Sequence, residues 1–116
     1  QAISRYRQGD MGNAIGLLDH ILRIQPDHAQ ALFYSGMIRL HNPKWRAVGT
    51  EEVEKALSLE PYNVAWTVEY VKFLLDNGQQ IRAKRLVEKA LEGNPASEEL
   101  NSVLQSCREG QLGAKP

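Results

Sequence analysis

The chain has 116 residues, 42% hydrophobic and 24% charged, with 14 Lys plus Arg balanced by 14 Asp plus Glu. This composition suits one folded domain, and a net charge of zero argues against nucleic acid, whose capture rests on phosphate neutralisation. No apolar run approaches the ~20 residues of a membrane-spanning helix, which argues against membrane insertion, and the lone Cys107 excludes an internal disulfide, so a cytoplasmic location is expected.

The chain opens QAISRYRQGD, without a methionine and with a helix already under way over 1–8. It reads as a piece of a longer protein. Apolar periodicity predicts further helices over 11–24, 28–41, 44–59, 63–77, 79–93 and 96–109, separated by turn signals at QGD (8–10), HNP (41–43) and DNGQ (76–79). The segment 28–41 carries Leu32, Ser35, Gly36 and Arg39 on one side and Phe33, Met37 and Leu40 on another. The segment 64–78 is apolar on most of its circumference, as in a helix enclosed by neighbours. Asp27 with Gln30 is expected to form a capping box, and Asn63 and Asn94 are expected as caps. The end, GQLGAKP, reads as a frayed tail over 110–116.

Three stretches share one shape: LRIQPDH (22–28), LSLEPYN (57–63) and LEGNPAS (91–97). Pro26 to Pro61 is 35 residues, and Pro61 to Pro95 is 34. A period of this size marks stacked supersecondary units. Aligned on the prolines, Leu22, Leu57 and Leu91 coincide, as do Ile21, Ala56 and Ala90, then Leu18, Val53 and Val87, then Ala14, Gly49 and Ala83. These offsets lie along one helical stripe. Two of its steps hold mostly small residues, which admit a close neighbour. Each proline is a boundary where one helix stops and the next begins.

The pattern resembles the tetratricopeptide repeat. The matching residues are Gly36, the turns Gly9-Asp10 and Gly78, Ala14 and Ala83, Ala56 and Ala90, and Pro26, Pro61 and Pro95. The departures are Gly49 and Ile21 in place of alanines, Val71 where glycine is common, and the signature tryptophan, with Trp66 one residue early. The resemblance implies an all-α fold, a right-handed α–α superhelix spanning 1–109. It would hold a truncated repeat (1–27), repeats at 28–62 and 63–95, and a capping helix at 96–109. The stretch HNPKWRAVGTEEVEKALSLEPYN (41–63) is similar to repeats that follow a J-domain in certain bacterial proteins.

The resemblance also implies a function: a non-catalytic module that binds a peptide or partner helix in a concave groove, within a larger bacterial protein. The implied lining is Tyr6 and Arg7, then Gln30, Phe33, Tyr34, Met37 and His41, then Ala65, Val68, Glu69, Lys72 and Asp76. For Phe33, Met37 and Val68 the competing role is packing between helices, the commoner fate of an apolar stripe. The Lys and Asn residues of the family's carboxylate clamp are missing, so an apolar-aromatic segment is expected rather than an acidic tail. Chaperone-linked client binding beside a J-domain, and self-association as a homodimer, are alternative readings. Trp45, beside Pro43, either plugs the gap made by the extra residue or is an exposed anchor. The acidic helix 44–59 and the basic helix 79–93 read as solvated outer faces. No cofactor is expected and no metal, since His20, His28 and His41 share no ligand spacing and there is no Cys-x-x-Cys. No enzyme activity is expected.

Overall fold

The computed structural model describes residues 11–113, with side chains from 14 to 109. The helix expected over 1–8, Tyr6, Arg7 and the Gly9-Asp10 turn lie outside the described residues. What is described is all-helical: α1 (Met11–Ile24), α2 (Ala29–Leu40), α3 (Arg46–Leu59), α4 (Val64–Asp76), α5 (Gln80–Gly93) and α6 (Glu98–Gly113). Five of these match the expected helices to within two residues at either end. The sixth runs four residues past the expected end at 109. It thus enters the stretch expected to fray from 110: a helical glycine costs only about 1 kcal/mol, and no proline intervenes before Pro116.

The period of the prolines is a period of hydrogen bonds. Two residues after each proline, a side chain accepts from the amide three residues further on. Ala31 N donates to His28 Nδ1 (3.1 Å), Trp66 N to Asn63 Oδ1 (3.1 Å) and Leu100 N to Ser97 Oγ (3.2 Å). Just before each proline, the preceding helix closes in the same way: Gln25 N donates to Ile21 O (2.8 Å), Glu60 N to Ala56 O (3.0 Å) and Asn94 N to Ala90 O (3.2 Å). Each acceptor satisfies an amide that the first turn of a helix leaves open. Two expectations are corrected here. His28, not Asp27, is the N-cap of α2, which moves Gln30 out of capping-box register, and Asp27 pairs with Lys55 instead (2.9 Å). Asn94 is the C-cap of α5, and Ser97 caps α6.

The chain divides between Glu60 and Pro61 into two compact units. In the first, Ala14 and Leu18 of α1 form a buried cluster with Ala31 and Ile38 of α2, flanked by Ile15, Ile21, Leu22 and Tyr34. Pairing is most intimate between α2 and α3. A methyl group on Gly36 would lie 2.8 Å from Gly49 O and 2.6 Å from Val53 Cγ2, and one on Gly49 would lie 2.7 Å from Gly36 O and 2.9 Å from Leu40 N. Backbone meets backbone, so glycine is required on both sides. This accounts for the glycine that stands at 49 in place of alanine.

The second unit is built on α4. Its Trp66, Thr67, Val68, Tyr70, Val71, Phe73 and Leu74 are buried, as its apolar circumference led us to expect. Buried Ala83 and Val87 of α5, and Leu100, Val103, Leu104 and Cys107 of α6, complete the core. Between α4 and α5, Gln79 N donates to Leu74 O (2.9 Å) and Gly78 N to Leu75 O (3.2 Å). This is a Schellman turn, which needs a left-handed residue at its hinge, and Gly78 supplies it with φ 76°. Tyr62 lies against the backbone of Gly93, where a methyl would come within 2.6 Å of its ring.

Candidate functional site

The implied groove residues fall at fixed distances after a proline, and the structure sorts them by exposure. On α2, Gln30, Tyr34, Met37 and His41 follow one another at helical spacing. Gln30 and His41 are exposed, Tyr34 is half-buried, and Met37 is buried. The same positions on α4 are Ala65, Glu69, Lys72 and Asp76, of which Ala65, Lys72 and Asp76 are exposed and Glu69 is half-buried. The two stripes share a register and are exposed at both ends, but differ at the third position, where Met37 is buried and Lys72 exposed.

Phe33, Met37 and Val68 are buried. They take the packing role rather than presenting surface to a ligand. Phe33 still shapes the stripe, because its ring meets Tyr34 edge-on, with centroids 5.4 Å apart and planes at 81°. That arrangement is favourable for aromatic pairs and fixes how the Tyr34 phenol is presented. The α2 stripe offers an amide, a phenol and an imidazole. The α4 stripe offers Glu69, Lys72 and Asp76.

One concavity within the first unit was not anticipated. A cleft of about 540 Å³ in the first unit is lined by Ile15, Asp19, Ile38, Arg39, His41, Asn42 and Trp45. Of the expected groove residues only His41 reaches it. Trp45, 48% exposed, stands at its rim, so it does not plug a gap. It is the N-cap residue of α3, and Asn42 holds the turn, accepting from Lys44 N through its side chain (3.0 Å) and from Trp45 N through its carbonyl (2.9 Å).

Two of its lining residues, Asp19 and Arg39, belong to a polar lattice that joins three helices. Arg39 Nη2 donates to both carboxylate oxygens of Asp19 (3.1 Å each), and Nη1 donates to Glu52 (3.0 and 3.1 Å) and to Ser35 Oγ. Ser35, fully buried, donates to Glu52 Oε1 (2.9 Å). Burial alone would lower the pKa of Arg39, but its hydrogen bond to Asp19 and the charge of Glu52 outweigh that, and the net shift is upward. The guanidinium is a fixed cation. A serine beside a carboxylate invites a catalytic reading, but here the hydroxyl is enclosed and its partners are an arginine and a glutamate, with no histidine to take its proton. The lattice positions α1, α2 and α3.

Burial pushes the Cys107 thiol up, aided by the charge of Glu88 and opposed by Lys84, which suppresses the thiolate. Among the described residues no group of three or more His, Cys, Asp or Glu is placed to hold a metal ion, and no helix is long and apolar enough to cross a membrane. No protein-family model matches the chain, and no curated protein is significantly similar to it.

Proposed function

We propose that the chain is a tetratricopeptide-like helical repeat module, a right-handed α–α superhelix of about two and a half hairpins closed by α6, and that it binds a protein segment without chemistry. One observation carries the reading: exposure recurs at equivalent distances from Pro26 and Pro61, with Gln30 and Ala65 exposed four residues on, Tyr34 and Glu69 half-buried eight on, and His41 and Asp76 exposed fifteen on. A ligand with apolar-aromatic side chains suits the Tyr34 ring, and its main chain suits polar groups of the kind each stripe carries: the Gln30 amide on α2 and, separately, the Lys72 ammonium and Asp76 carboxylate on α4. Titration with labelled apolar-aromatic peptides, followed by anisotropy, tests this. Tyr34→Ala and Lys72→Ala are each expected to weaken binding by about 1 kcal/mol or more, with helicity and melting unchanged. Undiminished binding in both variants would remove the stripe from consideration.

Self-association is the second reading. Leu17 and Ile24, two turns apart on α1, are 41% and 67% exposed, and an exposed apolar strip attracts a partner. Light scattering over a concentration series separates the two: a constant monomer mass leaves the peptide reading in place, and a rising mass that Leu17→Glu abolishes supports the dimer.

A further inference from the structure

The chain contains one Asn-Gly peptide, Asn77-Gly78, and the structure places it at the exposed hinge between α4 and α5. Asn-Gly is the dipeptide in which a backbone nitrogen most readily attacks a side-chain amide, because glycine offers no side chain to obstruct it. In this reaction the Gly78 nitrogen forms a bond to the Asn77 side-chain carbonyl carbon and loses its proton to water. The side-chain nitrogen departs as ammonia, leaving a succinimide. Water then opens the ring at either carbonyl, giving aspartate or isoaspartate. One amide and one water become one carboxylate and one ammonium ion, the ammonia taking up the proton released, with no change of oxidation state.

In the folded chain both reacting groups are engaged. The nucleophile, Gly78 N, donates to Leu75 O (3.2 Å). The Asn77 side chain is turned back along the helix, with Nδ2 donating to Phe73 O (2.8 Å). Ring closure needs Asn77 at a ψ of roughly −120°, outside the populated backbone regions. Its observed ψ is 16°, which turns the Gly78 nitrogen away from the side chain. We infer that Asn77 is a self-modification site gated by the α4–α5 turn: the closed turn holds the dipeptide unreactive, and each conversion records an opening of that turn.

The product cannot rebuild what it leaves. Aspartate has no hydrogen to donate to Phe73 O, and its charge falls at the negative end of α4, beside exposed Asp76. Isoaspartate adds a methylene to the backbone, which breaks the spacing of the Schellman pair. Conversion is therefore a one-way loosening of the second unit. This holds whatever ligand the chain binds.

Three samples test it at neutral pH and one temperature: the folded chain, the chain in guanidinium chloride, and the free peptide 73–82. Trypsin, cutting after Lys72 and Arg82, releases 73–82 from the chain, and the aspartate and isoaspartate forms separate by chromatography and gain one dalton by mass. The free peptide and the unfolded chain are expected to convert at matching rates, and the folded chain at least about tenfold more slowly. Equal rates in folded and unfolded chains would overturn the gate. Absence of conversion in the unfolded chain would overturn the site. Asn77→Asp should unfold at lower denaturant and lose exchange protection at the Gly78 and Gln79 amides. If it matches the parent in both, the loosening is refuted.

Discussion

The hairpins α2–α3 and α4–α5 occupy the same place in the repeat and are built by opposite means. Counted from the prolines, Gly36 corresponds to Val71, Gly49 to Ala83, and Ser35, Arg39 and Glu52 to Tyr70, Leu74 and Leu86. The first hairpin brings backbones together at two glycines and sets a charged lattice beside them. The second fills the equivalent positions with apolar volume, Tyr70, Val71 and Leu74 all buried. Their turns differ as well: an asparagine-held turn over 42–45 in one, a left-handed glycine in the other. One helical period thus tolerates either a tight polar solution or a bulkier apolar one, provided each is carried through all positions together.

The comparison breaks hardest where one hairpin's residue is set alone into the other. Arg39→Leu imports the residue found at 74 but leaves half-buried Glu52 without its cation, and should cost about 3 kcal/mol in denaturant unfolding followed by circular dichroism. Converting the lattice together, as Ser35→Ala with Arg39→Leu and Glu52→Leu, should return stability to within about 1 kcal/mol of the parent. A triple variant as unstable as the single one would show that the charges specify the hairpin. Gly36→Ala should cost about 2 kcal/mol through overpacking, despite the better helix propensity of alanine. At the equivalent site the sign of the volume effect reverses: Val71→Ala should cost about 2 kcal/mol by leaving a cavity. Because Ala56 is fully buried and Ala90 only partly, Ala56→Phe should destabilise more than Ala90→Phe, which should cost about 1 kcal/mol. Among the caps, His28→Ala, Asn63→Ala and Ser97→Ala should each lose about 1 kcal/mol. Smallest of all, Lys55→Ala, which removes an exposed pair with Asp27, should change stability by no more than about 0.5 kcal/mol.

Helix positions were legible from the prolines because each imposes a local stop, and local constraints show in local sequence. So was the spacing of the accessible stripes, which follows from 3.6-residue geometry. The burial of Phe33, Met37 and Val68 was not, since two adjacent stripes of one helix look alike until a neighbour covers one. The lattice was hidden for a different reason: Asp19, Ser35, Arg39 and Glu52 come from three helices, and only their packing brings them together. His28 escaped as a cap because propensity favours short oxygen acceptors, although imidazole Nδ1 sits close enough to the backbone to do the same. The outward turn of Trp45 depended on the Asn42 hydrogen bonds, which composition alone does not announce.

The two tryptophans give the chain a built-in pair of optical probes. Trp45 in the first unit is 48% exposed, and Trp66 in the second is 8% exposed, so the former emits to the red and the latter to the blue. Unfolding of the second unit alone shifts only the blue component, and unfolding of the first changes mainly the red. A single fluorescence melt, with Trp66→Phe as the reference for Trp45, reports whether the chain comes apart in one step or two.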